Sequence, residues 1–247
     1  MRFDIITSFP ELIEFYSNHS ILKRAQKEKK IEIKIHNLRD FAEDKHQKID
    51  DRSFGGGGGM VFKIEPLFKA LISLRIPFSK LKINFNRTKS EKIKIILFTP
   101  RGKKFNQKLV YQYSQLDRLV LICGRYEGID ERILKYLSDE NISIGNYVLL
   151  GGELPALIVL EAVSRLLPGV IKETEFLSER ISNNQGFIEY PQYTRPEIFD
   201  PLKFLTQLGV KVSKVKKETK WQVPKILISG NHQEIKKWRQ KHQKIIN

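Results

Sequence analysis

An α/β fold with a mostly parallel sheet is predicted by three features of the sequence. Apolar runs of strand length, at 1–8, 31–38, 93–100 and 118–124, alternate with stretches that carry helical spacing. The later runs are apolar without interruption, as expected of strands covered by helices on both faces. Three strand ends, at Pro100, Gly124 and Gly145–Gly152, each pass into a loop containing glycine. In open sheets of this kind ligands bind at the carboxyl ends of strands.

Taken in order, residues 1–8 alternate weakly and predict a strand, and Pro10 and Glu11 open a helix expected to reach about Lys29. The stretch IEIKIHNL at 31–38 alternates cleanly, with Ile31, Ile33 and Ile35 on one face. A polar loop follows and ends in five glycines, Gly55–Gly59. As a linker it would lead into more polar sequence, but Met60, Val61 and Phe62 resume apolar structure at once. It lacks the GKS or GKT of a phosphate-binding loop and the GxGxxG of a dinucleotide fold. The remaining reading is a loop where backbone approaches a ligand or another backbone without Cβ interference. Residues 64–75 predict a helix. The stretch 76–92 is basic and aperiodic, which predicts a surface insertion. A strand at 93–100 should end in a Pro100-Arg101-Gly102 turn, followed by a helix over Phe105–Leu116, a strand at 118–124 and a helix near Leu134–Leu137.

The stretch SIGNYVLLGGELPALIVLEAVSRLLPGV, from Ser143 to Val170, is the centre of the chain. Tyr147–Leu150 predicts a short strand running into the Gly151–Gly152 turn. Glu153 then opens a helix with Pro155 in its first turn, where the missing N–H costs nothing. Leu154 to Leu167 is apolar almost all round, the pattern of a segment buried on every side. Glu161, Ser164 and Arg165 share one face. An arginine at the end of such a helix is either a paired structural charge or part of a reaction site.

Composition narrows the function classes. The chain of 247 residues has room for two modest domains or one large one, no run long enough to span a bilayer, and a single cysteine, Cys123, which rules out an internal disulfide and fits a reducing compartment. Cys123 is read as a small core residue. The five histidines show no metal-ligand spacing. The net charge of +16 is concentrated: residues 203–247 hold 12 Lys+Arg against 2 Asp+Glu, residues 71–95 hold 7 against 1, and the remainder 25 against 25. A neutral body with a basic C-terminal part predicts a polyanionic partner, with a lysine-rich surface as the bland alternative. Lys172–Gln185 is polar and reads as a linker between domains. In the last segment Gly230-Asn231 caps a helix whose Ile235 and Trp238 supply apolar contacts. Trp221, Trp238, Tyr190 and Tyr193 could stack nucleobases, with core packing the expected role of the two tryptophans.

Six ordered segments carry a resemblance: ITSFPELI, NLRDFAEDKHQKIDDRSFGGGGGM, LICGRYEGIDERI, SIGNYVLLGGELPALIVLEAVSRLLPGV, YPQYTRP and LISGNHQEIKKWR. With them the chain resembles the bacterial tRNA (guanine-N1)-methyltransferase family TrmD, over nearly its whole length. The resemblance implies a SPOUT-type sheet with a deep trefoil knot at 1–171, a linker at 172–188 and a small basic helical domain at 189–247. It implies a homodimer with shared active sites, S-adenosylmethionine (SAM) as methyl donor, and N1 of the guanine after the tRNA anticodon as target. Magnesium is allowed by the family's chemistry but has no place marked in this sequence. A cytoplasmic protein is expected, with no membrane or DNA partner.

Site residues follow by the same resemblance. Pro100, Gly124, Ile144, Gly145, Asn146, Tyr147, Val148, Leu149, Gly151 and Gly152 would hold the donor. Gly57, Gly58, Gly59, Tyr126, Glu127 and Arg195 would meet the tRNA. Arg165 matches the arginine credited with stabilising the reacting guanine. The family's linker aspartate, the base for the N1 proton, is missing from LSERISNNQGFIE, and Glu179 is the nearest acid, with Glu189 where a second family acid falls. Asn146 replaces a more usual Asp, and five glycines replace the usual GGGPG. The missing aspartate motivates a rival reading, a non-catalytic RNA-binding protein, and a different RNA target is a third.

Overall fold

The computed structural model describes residues 1–56, 58–78, 91–171, 186–209 and 220–246. The chain divides into two compact units, Met1–Glu179 and Arg180–Asn247. The elements of the first unit are β1 (Arg2–Thr7), α1 (Pro10–Ser17), α2 (Ser20–Lys27), β2 (Glu32–Asn37), a 3₁₀ turn (Leu38–Phe41), β3 (Asp50–Asp51), β4 (Val61–Phe62), α3 (Ile64–Ser73), β5 (Ile93–Lys104), α4 (Gln107–Ser114), β6 (Arg118–Ile122), α5 (Glu131–Tyr136), β7 (Glu140–Ser143) and α6 (Glu153–Leu166). Five strands form one sheet in the order β2-β1-β6-β5-β7, and every pairing in it is parallel.

Alternation along the strands divides the core between the two faces of the sheet. Phe3 and Ile5 of β1, Leu119 and Leu121 of β6 and Ile96 of β5 pack against α1, α2, α4 and α6. Ile6, Val120, Ile122, Ile95 and Leu97 pack on the opposite side with α3 and α5. Each fully buried side chain of this size contributes about 1.5–3 kcal/mol. Side-chain caps mark several helix starts: Asn106 accepts from the Leu109 N–H at 3.0 Å and Asp130 from the Arg132 N–H at 2.9 Å.

Five expectations about this unit are corrected. The helix expected from Pro10 to Lys29 is two helices, α1 and α2, separated at Asn18–His19, where extended His19 precedes Ser20. Asn, His and Ser hold a helix poorly and compete for its backbone hydrogen bonds. The basic stretch from 76 to 92 begins inside the core, since Ile76 and Phe78 are buried there; residues 79–90 lie outside the described residues. The strand at 93–100 does not end at Pro100. It continues to Lys104 through a bulge, with Ile142 of β7 opposite both Phe98 and Lys103. Gly102 makes this possible, because a Cβ there would come within 2.6 Å of the Ile142 backbone. Tyr147–Leu150 forms no strand. Among the described residues it has no strand beside it to pair with, and Val148 and Leu150 are 80% and 88% exposed. Nor is α6 buried on every side within one chain. Leu154, Ile158, Glu161 and Arg165 are exposed and lie on one face.

The second unit is less purely helical than expected. β8 (Phe187–Glu189) pairs with β11 (Lys244–Ile246), and β9 (Ile198–Phe199) pairs with β10 (Trp221–Gln222), all antiparallel. Its helices are α7 (Pro201–Gln207), capped by Asp200, and α8 (His232–His242), where Asn231 accepts from the Glu234 N–H at 3.2 Å as the Gly230-Asn231 pair predicts. Trp238 stacks on His242 at 4.1 Å between ring centroids. Trp221 is no core residue: it is 66% exposed, beside Phe199 at 5.4 Å.

Candidate functional site

The strands β6, β5 and β7 lie side by side and run parallel, so the loops that follow β6 and β7 meet the bulge of β5 on one side of the sheet. Together they enclose a cavity of about 360 Å³, lined by Thr99–Arg101 of the β5 bulge, Gly124–Ile129 after β6, Ser143–Ile144 and Tyr147–Gly152 at and after the end of β7, and Pro155 of α6. Of the ten residues assigned to the donor, Pro100, Gly124, Ile144, Tyr147, Val148, Leu149, Gly151 and Gly152 line this cavity. Gly145 and Asn146 belong to the same loop but not to the lining.

Backbone packing keeps the cavity walls thin. The Gly152 N–H donates to the Gly124 carbonyl at 2.8 Å, and a Cβ on Gly152 would lie 2.7 Å from Cys123 Cα. The sheet and α6 approach there as closely as two backbones can. Cys123 is buried beneath this contact, and burial first, then the nearby Glu153 carboxylate, pushes its thiol well above the ordinary range. It stays a neutral core thiol, as expected.

Tyr126 and Glu127, assigned to the substrate, also line the cavity and are exposed. Tyr126 adopts a left-handed conformation at φ 59° and packs edge-on against Phe62 at 5.5 Å. The hairpin of β3 and β4 brings the glycine run to this loop. The Glu127 N–H donates to the Met60 carbonyl at 3.1 Å, and the Phe62 N–H to the Gly128 carbonyl at 3.0 Å. Gly59, at φ 87°, lies where any side chain would strike Glu127. Close approach is thus confined to the end of the run, at Gly59 and Met60, while Gly55, Gly56 and Gly58 have open space around them. Gly58 is exposed, and Gly57 lies outside the described residues.

Of the remaining assigned residues, only Arg165 is described in the first unit. Arg165 occupies the last turn of α6, exposed, and does not line the cavity. From Pro155 to Arg165 the helix rises about 15 Å, further than an arginine side chain spans. Glu161, on the same face, accepts from the Tyr16 hydroxyl. Glu179 lies outside the described residues. Arg195 is exposed in the second unit. Among the described residues no cluster of three or more His, Cys, Asp or Glu could hold a metal ion.

Three residues of the site carry no mark in the sequence reading. Glu153 is buried at the start of α6, accepting from the Thr7 hydroxyl at 2.8 Å and from Arg125 Nε at 3.0 Å. A signal for it exists: a carboxylate directly after two glycines, at the mouth of an apolar helix. Arg125 and Thr7 have no comparable signal.

The fold and cavity define a class: an α/β protein with a small-molecule pocket at the carboxyl edge of a parallel sheet, on a chain that ends in a basic unit. The family model described as tRNA (Guanine-1)-methyltransferase TrmD matches residues 1–246. The chain is 45% identical over 241 residues to a tRNA (guanine-N(1)-)-methyltransferase of Dictyoglomus turgidum, covering 98% of this chain and 84% of that one. It is 42% identical over 242 residues to the protein so named in Clostridioides difficile, covering 97% and 90%. The one so named in Carboxydothermus hydrogenoformans is 42% identical over 247 residues, covering 100% and 84%. The chain belongs to the tRNA (guanine-1)-methyltransferase TrmD family, enzymes of methyl transfer.

Proposed function

We propose that the chain methylates N1 of the guanine 3′ of the tRNA anticodon, position 37, with SAM as donor, as a cytoplasmic homodimer. The observation that carries this reading is the meeting of three glycine-bearing strand-end loops in one cavity, together with the family. The cavity suits the donor: its volume is in the range of small-molecule pockets, its walls are largely apolar or backbone, and Arg101, Arg125 and Glu127 supply charges of both signs for a zwitterion that also carries a sulfonium. Bound there, SAM supplies an electrophilic methyl group.

The chain's own residues then have three tasks. The bulge of β5 and the loops after β6 and β7 hold the donor and exclude water, so that donor and base meet in line. A carboxylate takes the N1 proton, which guanine keeps near neutral pH, and Glu179 is assigned this role. Arg165 stabilises the charge that develops on guanine O6, since a guanidinium stays charged and donates in a planar fork. Its distance along α6 from Pro155 supports a role in the cavity of a second copy. Exposed Phe15 and Tyr16 of α1, Leu150 of the loop, and Leu154 and Ile158 of α6 supply an apolar surface for that copy. The basic second unit holds tRNA through its phosphates, and so with strong salt dependence.

Incubating purified protein with labelled SAM and tRNA transcripts bearing G or A after the anticodon tests the reading. Label on the G transcript alone is expected. Label on both overturns the position, and label on neither favours the non-catalytic RNA-binding alternative.

A further inference from the structure

We propose that Glu153 is a positioning residue that sets the shape of the cavity through Arg125. The inference rests on the reading of that cavity as the methyl-donor site. Four side chains close a ring beneath the glycine turn. Glu153 accepts from the Thr7 hydroxyl through Oε1 at 2.8 Å and from Arg125 Nε through Oε2 at 3.0 Å. The Thr7 hydroxyl in turn accepts from the Phe9 N–H at 3.0 Å, and the Phe9 ring carries the Arg125 guanidinium 4.2 Å from its centroid.

The members come from separate segments, of which Arg125 alone lines the cavity. Thr7 ends β1, Arg125 opens the loop after β6 and itself lines the cavity, and Glu153 begins α6. The space over Gly151 is filled by the same two partners, with Arg125 Nε and Glu153 Oε2 both within 2.6 Å of where its Cβ would stand. One buried carboxylate thus fixes Arg125, and Arg125 fixes the approach of the loop holding Tyr126 and Glu127 to the turn at Gly151. A carboxylate serving only the helix N-terminus would need neither partner, because exposed backbone N–H groups and water satisfy it there. Both Glu153 oxygens are committed to side chains instead, one to Arg125 of the cavity lining and the other to Thr7 at the end of β1. Removing either partner leaves a buried polar group unsatisfied, which the loops relieve by moving.

Calorimetric titration of SAM into the full chain, with tRNA affinity measured in parallel, tests this for the wild type, Glu153→Gln, Arg125→Met and the double variant. The expected result is a donor dissociation constant raised roughly 10- to 100-fold in each single variant. The double variant should be no weaker than the singles, tRNA affinity should fall less than donor affinity, and the far-ultraviolet spectrum should be unchanged. Donor binding by folded E153Q as tight as the wild type overturns the positioning role alone. A wild type that does not bind SAM removes the donor-site reading and this inference with it. Should E153Q not fold, Arg125→Met, which removes the partly exposed partner, serves in its place: unchanged donor affinity there overturns the proposal.

Discussion

Asp4 is fully buried on β1, yet it faces three cationic or donor groups. Arg2 reaches it at 2.7 and 2.8 Å, Arg118 Nε at 2.6 Å and His36 Nε2 at 2.7 Å. Burial alone would raise its pKa, but the hydrogen bonds from His36, Arg2 and Arg118 outweigh burial and hold the carboxyl well below the usual carboxylate range. The stability this contributes is therefore present above about pH 4, the unfolded value, and is lost as the pH falls below it. Asp4→Asn leaves buried Arg118 without a counter-charge and should cost roughly 3–5 kcal/mol in urea unfolding at pH 7. The same variant should show a flatter loss of stability between about pH 4 and pH 2 than the wild type. Gly152 is the other residue-scale lever. Gly152→Ala must push the Cys123–Gly124 backbone and α6 apart, so donor binding should fall below detection in calorimetry while the sheet still folds.

At the scale of elements, strand and helix identity was readable wherever burial and periodicity coincide. β6 is buried from end to end and was legible as a continuous apolar run. The 147–150 loop is equally apolar, and there the same signal misled, because an apolar run says that a surface will be covered but not by which chain. The split of α1 from α2 was hidden for another reason: Asn18 and His19 weaken a helix only slightly, and tertiary context decides whether it breaks. The second unit offers a prediction of its own. Exposed Trp221 beside Phe199, in a segment with Lys203, Lys220 and Lys225, suits a base stacked against an aromatic face within a positive field. Trp221→Ala should weaken tRNA binding by about 1–3 kcal/mol in filter binding, while Trp221→Phe keeps most of it. Donor affinity should not change in either variant.

For the whole molecule, the separation of Arg165 from its own cavity has a direct consequence. Arg165→Ala should lower single-turnover methylation roughly 10²–10³-fold, as loss of one oxyanion donor does. Gly152→Ala should be inactive for the separate reason that its cavity is closed. Mixed and allowed to exchange as the proposed homodimer, the two inactive variants should recover roughly a quarter of wild-type activity, because half of such dimers pair one intact cavity with one intact arginine. No recovery, with exchange confirmed by sedimentation, would overturn the assignment of Arg165 to the other copy's cavity.

By itself the sequence determined four of the five strands of the sheet, the glycine-bearing turns at Pro100, Gly124 and Gly145–Gly152 as the candidate site, and through its ordered motifs the family. Those properties are local: a strand is marked by its apolar run, and a glycine by the conformation or approach it permits. Tertiary structure alone decided the rest. It brought Thr7, Arg125 and Glu153 into one ring from segments far apart in the chain, buried Ile76 and Phe78 at the edge of a basic stretch, and put Arg165 beyond reach of its own cavity. Such relations depend on how helices and strands pack, and packing joins residues whose separation along the chain leaves no periodic trace.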